Sequence, residues 1–274
     1  MTSKKNIWLT GPYIIWIIGF ITLPILTIFY YAFTTPEKRF TLNNIINAVT
    51  DTANLKALGL TFLLAASATL ICLLLAYPLA ICLTKLKLKR KNFFVYLFVL
   101  PVFMNFMLQM IAVNVIIENN GIINSFLSAL GLPTLKIAST FAAILIGTVY
   151  IYFPFMLLPI YNTVSRIDKD YLNASKDLGA NGFKTFFKVM LPLTMPGVVS
   201  GATMVFVPAI SDFAIAEMLG GGKIMLVGNI VEMSFTKGHY YQGSGLALLL
   251  MVFVLISSLI PTDDSKAEGG AFII

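Results

Sequence analysis

Six apolar blocks, each close to the length needed to cross a lipid bilayer, leave this chain few folds to choose from. They cover residues 11–33, 58–83, 93–117, 138–160, 197–216 and 244–260. A helix needs about 20 residues at 1.5 Å each to cross roughly 30 Å of hydrocarbon, and every block but the last reaches that length. The last has 17 residues before Pro261 and is the marginal span. Two shorter apolar segments, 122–132 and 225–235, suit helices lying at the membrane interface. Composition agrees, with 58% hydrophobic and 11% charged residues, against about a quarter charged in a soluble domain. A water-soluble globule is excluded, and the predicted class is an all-α integral membrane protein with six transmembrane helices over 1–260 and a short tail over 261–274.

The charge balance, 19 Lys and Arg against 12 Asp and Glu, is basic. The cations sit in short loops between apolar blocks, where they set membrane orientation rather than bind nucleic acid. With the N-terminus inside, Lys4, Lys5, Lys85, Lys87, Lys89, Arg90, Lys91, Arg166, Lys169, Lys176, Lys184, Lys188 and Lys266 face the cytoplasm. Lys38, Arg39, Lys56, Lys136, Lys223 and Lys237 remain outside. This asymmetry places both termini in the cytoplasm. Lys4 and Lys5 precede an apolar run as in a secretory signal, but that run exceeds the usual core of about 7 to 15 residues and no small-x-small site follows. The first block is therefore expected to stay in the membrane.

Residues 165–197, between the fourth and fifth blocks, do not read as a plain loop. Asp168 suits an N-cap; Tyr171, Leu172, Ser175 and Leu178 follow at helical spacing, and Gly179 can take the left-handed conformation that ends a helix. A second helix is expected from Phe183, with Phe183, Phe186, Phe187, Met190 and Leu191 on one face and Lys184 and Lys188 toward water. Pro192 and Pro196 are expected to break the chain before the fifth span. Two capped amphipathic elements of this kind either dock onto a partner or lie in the headgroups.

These residues carry a resemblance. Ala174, Leu178-Gly179-Ala180, Leu191-Pro192 and Pro196-Gly197 resemble the EAA loop of ABC-importer permeases: EAA, three residues, Gly, about eleven residues, then Leu-Pro. Asn173 stands where that pattern has Glu, and Ser175 where it has the second Ala. The resemblance covers about residues 8–260 and narrows to permeases of spermidine/putrescine importers, through Tyr77-Pro78-Leu79-Ala80, Leu100-Pro101 with Asn105, Gly121 to Asn124, and Glu217-Met218-Leu219-Gly220-Gly221. It implies a type I ABC importer permease fold, a cytoplasmic ATPase dimer that holds ATP and Mg and receives Tyr171, Leu172, Asn173, Ala174, Ser175, Leu178, Gly179 and Ala180, a second homologous permease, an extracytoplasmic substrate-binding protein and a polyamine as cargo. No cofactor is expected in this chain.

A polyamine path requires carboxylates, carbonyls or aromatic faces. Asp212 lies 15 residues beyond Gly197, so counting from there as the inner edge places it in the outer part of span five, with Glu217 at the end of that span and Glu232 in the outer apolar segment. Either these form an acidic ladder at the outer mouth, or they are solvated charges paired with Lys223 and Lys237. Asn105 and Gln109, four residues apart, offer neutral acceptors inside or bonds between helices. His239, Tyr240 and Tyr241 are expected in the outer loop as an interfacial anchor.

Catalysis has no visible residues. Gly220-Gly221-Gly222-Lys223 looks like a phosphate loop, but Glu217 occupies the first glycine position and Ile224 the Ser/Thr position. Cys72 and Cys82 lie in one apolar block, and with one histidine in the chain there is no metal-ligand cluster. A standalone secondary transporter would need inverted halves, and a membrane enzyme a nucleophile with its base; neither is legible. Seven prolines within the blocks permit kinks or a bundle that lines a path.

Overall fold

The computed structural model describes residues 7–85 and 91–258. The first apolar block is one unbroken helical rod made of α1 (Ile7–Ile17), a wider π-type turn over Ile18–Thr22, and α2 (Leu23–Ala32). Pro24, the second residue of α2, lies just past the wide turn, which holds the Phe20 carbonyl that a proline four residues on cannot serve. Next come α3 (Asn43–Thr50) and α4 (Thr52–Lys85), the latter 34 residues long with Pro78 inside it. The third block is not one helix. It divides into α5 (Lys91–Val99), a 3-10 turn over Leu100–Phe103, and α6 (Phe106–Ile117), because Pro101 cannot continue the α5 ladder and Asn105 caps a fresh start.

The chain continues through α7 (Ile122–Ala129), α8 (Phe141–Ser165), α9 (Lys169–Asp177) and α10 (Gly182–Thr185). A π-type turn over Phe186–Met190 leads into α11 (Leu191–Ser211). After these come α12 (Ala214–Leu219), α13 (Val227–Thr236) and α14 (Tyr240–Ser258). The expected break at Pro192 and Pro196 does not occur. Pro192 sits in the first turn of α11, where no donor is required, and the Lys188 carbonyl it would have served lies in the wide turn. Gly182–Ser211 is thus one rod of 30 residues. Likewise Tyr240 and Tyr241 open α14 rather than ending a loop.

Among the described residues, six helical stretches are long and apolar enough to cross a membrane: Gly11–Ala32, Thr52–Lys85, Phe106–Ala129, Phe141–Ser165, Gly182–Ser211 and Tyr240–Ser257. The third crossing window therefore starts at Phe106 and takes α6 with α7, later than the block read from the sequence. The tail over 261–274 lies outside the described residues.

The chain forms two compact units, one from the segment up to Leu58 with Val227–Phe253, the other from Gly59–Leu226 with the chain beyond Val254. In the first, Asn44 donates through its amide to the Tyr31, Ala32 and Thr34 carbonyls, closing the open end of α2, and the Tyr31 ring packs on Tyr240 and Tyr241. In the second, α8 and α11 run antiparallel in the tightest helix contact. A side chain at Gly197 would strike Thr163 and the Pro159 carbonyl, and one at Gly201 would meet the Met156 sulfur at 2.9 Å. Two glycines four residues apart let the backbones approach where dispersion, not water, holds helices together.

Candidate functional site

The 165–181 segment folds as its capping residues dictate. Asp168 accepts from the Asp170 amide at 3.1 Å and opens α9. Gly179 (φ +74°) closes it in a doubly bonded C-terminal cap, with Gly179 N–H donating to the Lys176 carbonyl at 2.8 Å and Ala180 N–H to the Ser175 carbonyl at 3.0 Å. A Cβ at Gly179 would touch nothing within 4 Å, so its requirement for glycine is conformational. Ser175, the departure from Ala noted above, is buried and shares a 3.0 Å hydroxyl–hydroxyl bond with Thr185 of α10, tying the two loop helices together. Leu172 and Ala180 are half-buried beneath, while Asn173 and Ala174 are exposed. Tyr171 at 60% and Leu178 at 88% exposure present apolar surface outward, as does Phe183 at 73%. The second loop element is fixed to the bundle by Tyr77 of α4, whose hydroxyl meets Thr194 at 2.6 Å and whose ring packs edge-on against Phe186.

Asp212 is held at a helix break. It follows the last residue of α11 and lies beside Tyr152, whose hydroxyl donates to Asp212 Oδ2 at 2.7 Å. Tyr152 is near the middle of the 25-residue α8, which at the helical rise is about 37 Å long. The contacts run in register along α8: Gly197 against Thr163, Gly201 against Met156, Asp212 on Tyr152, Ile215 and Leu219 against Gly147, then Gly221 against Ser139. This register puts Gly197 beside Thr163, two residues from the end of α8, so a count from Gly197 and a count along α8 give Asp212 a similar position, about 20 Å from that end. The helix breaks at Asp212 and Phe213 and resumes as α12. Asp212 Oδ1 accepts from the Ala214 amide at 2.9 Å and the Ile215 amide at 3.3 Å, satisfying the donors that the break exposes. The result is a half-buried carboxylate fixed on both oxygens, with a phenol ring beside it, at the end of α11 and opposite the middle of α8. Such an arrangement suits an ammonium group, through charge and through the aromatic face.

Glu217 lies exposed on α12, and Glu232 belongs to α13 in the other compact unit, where it accepts from Thr236 at 2.9 Å. Neither pairs with Lys223 or Lys237, since Arg39–Glu37 is the only ion pair among the described residues. Asn105 and Gln109 bond locally rather than between helices. Asn105 caps α6 by accepting from the Leu108 amide, and the buried Gln109 amide donates to the Pro101 and Met104 carbonyls. Sequence reasoning overlooked Tyr152, which sits in an aromatic run that looks like packing, and the Gly197-x-x-x-Gly201 seam, whose spacing was legible.

The part of the chain holding the α8–α11 pair, the loop helices and the Asp212 break is also the part that matches a family. Residues 76–261 fit the pattern of the family described as binding-protein-dependent transport system inner membrane component. The chain belongs to that family. It is a multi-pass inner-membrane transport permease, and its relatives are transport subunits rather than enzymes. The spermidine/putrescine transport system permease protein PotB of Haemophilus influenzae is 33% identical over 255 residues, covering 88% of this chain and 87% of the relative. PotB of Escherichia coli K12 is 34% identical over 228 residues, covering 80% and 82%. Among solved structures, a bacterial ABC transporter involved in import of the acidic polysaccharide alginate shares the fold, with a TM-score of 0.75 at 15% identity over 91% of this chain and 92% of that one. The alginate transporter in complex with a pentasaccharide-bound periplasmic protein gives 0.74 at 14% identity, over 92% and 93%. The ABC importer permease fold expected from the loop pattern is the fold observed.

Proposed function

We propose that this permease carries polyamines, spermidine or putrescine, inward as one subunit of an ATP-driven importer. The observation that carries the reading is a fixed carboxylate and phenol at the helix break that ends α11, in a family member related to PotB. An elongated cation needs such a station inside an otherwise apolar bundle, and ionisable groups within membrane helices are costly unless they serve a path.

The motor lies elsewhere. ATP and Mg would be held by a cytoplasmic ATPase dimer, onto which the exposed Tyr171, Leu178 and Phe183 of the loop would dock. Because α10, the wide turn and α11 form one rod, a displacement of the loop would be delivered directly to Asp212 at the rod's far end. ATP closure would then shift the bundle between inward-open and outward-open states, with Asp212 changing access as it moves. The first apolar rod has no buried residue in its most apolar window, a surface suited to lipid and to a second, homologous permease. An extracytoplasmic binding protein would deliver the solute, and the cation asymmetry supports both termini lying in the cytoplasm.

The test is reconstitution of the chain with its ATPase, second permease and binding protein in sealed vesicles, followed by uptake of labelled spermidine. The expected result is accumulation that requires ATP and is competed by putrescine. Uphill uptake by this chain alone, or an assembled importer indifferent to amines, would overturn the proposal.

A further inference from the structure

Lys85 closes α4 and Ser165 closes α8, and at this end of the second unit the two helices and the loop helices wall a cavity of about 640 Å³. Three lysines line it, Lys85 on α4 and Lys169 and Lys176 on α9. No carboxylate lines it. Asp168, Asp170 and Asp177 are close in sequence, yet among the described residues none of the three lysines is in an ion pair. The remaining wall includes Ile81, Tyr161, Leu172 and Met190, which are apolar or largely so.

We propose that this cavity holds the headgroup of an anionic phospholipid. Three uncompensated cations around a concavity with low-dielectric walls concentrate positive potential, and a phosphodiester meets it with a fixed negative charge and several acceptor oxygens. The position fits as well, because the cavity lies where α4 and α8, two helices long and apolar enough to cross a membrane, end. The apolar wall distinguishes the source. Free phosphate would leave Tyr161, Leu172 and Met190 wet, whereas a lipid covers them with its glycerol and upper acyl carbons. A lipid bound here bridges the last residue of α4 to the loop helix α9, so the loop is braced against the membrane end of the bundle. The inference needs only the membrane embedding and is independent of the solute carried.

The experiment is retention of phosphatidylglycerol by the purified full chain in phosphatidylcholine nanodiscs doped with phosphatidylglycerol, read by native mass spectrometry. The wild type should hold one phosphatidylglycerol per chain that survives delipidation, and inorganic phosphate should not displace it. The triple variant Lys85→Gln, Lys169→Gln, Lys176→Gln should bind on the order of a hundredfold more weakly, as expected for three charges at a membrane surface. The Lys→Arg triple should retain the lipid, and Lys56→Gln with Lys136→Gln should change nothing. A wild type that holds phosphatidylcholine equally well, displacement by inorganic phosphate, or undiminished retention in the Gln triple would overturn the proposal. Spermidine uptake by the assembled importer in the same lipids reads the transport function separately.

Discussion

Two apolar helical stretches in this permease are bounded by breaks, and the breaks are closed in different ways. At Leu100–Asn105 the break is sealed by neutral groups: Asn105 caps the outgoing helix and Gln109 turns back to serve the Pro101 and Met104 carbonyls. At Asp212–Phe213 the equivalent cap is a carboxylate, held by two amides on one oxygen and by Tyr152 on the other. Asparagine would have capped as well as aspartate, and a neutral cap costs less in an apolar setting. The charge at the second break is therefore not explained by closing the helix. The comparison separates a break that shapes the bundle from one that carries an added task.

That separation can be broken by substitution. Asp212→Ala removes cap, charge and phenol partner together, and uptake in the reconstituted importer should fall by about thirtyfold or more, the effect of losing one partner of a desolvated charge pair. Gln109→Leu should act on stability instead. Two carbonyls lose their donor at a cost of about 1–3 kcal/mol, seen as a lower midpoint of thermal unfolding in detergent, while uptake per folded importer stays within about twofold. Asn105→Ala should cost about 1 kcal/mol by the same measurement, the value of one cap. Glu217→Gln with Glu232→Gln should be the mildest. Glu217 is exposed and Glu232 is already engaged by Thr236, so uptake and amine preference should remain at wild-type level. A large loss in that double variant would restore the acidic ladder at the mouth and erase the contrast between the breaks.

The sequence exposes what is local or periodic. Block lengths reveal six crossings, and Asp168 with Gly179 marks both ends of the first loop helix because caps act within a few residues of themselves. What it hides is continuity. Pro192 and Pro196 read as a boundary, yet a wide turn absorbs the missing donor and the helix runs on, so the fifth rod begins at Gly182 rather than after the prolines. Asp212 was identifiable as an acid within an apolar stretch, but not as the cap of a helix break. Tyr152 was hidden for a different reason: it is distant in sequence, and only the α8–α11 register brings it to the carboxylate. Gly197 and Gly201, which set that register, announced it by their spacing.

The most direct measurement of the central claim uses Asp212→Asn, which keeps the cap and removes the charge. Spermidine uptake and ATP hydrolysis are followed together in vesicles containing the assembled importer. Hydrolysis stimulated by the loaded binding protein should persist, because the loop and the rod are intact, while spermidine moved per ATP falls by about thirtyfold or more. Unchanged spermidine per ATP would show that the charge at the break plays no part in transport, and would contradict the account.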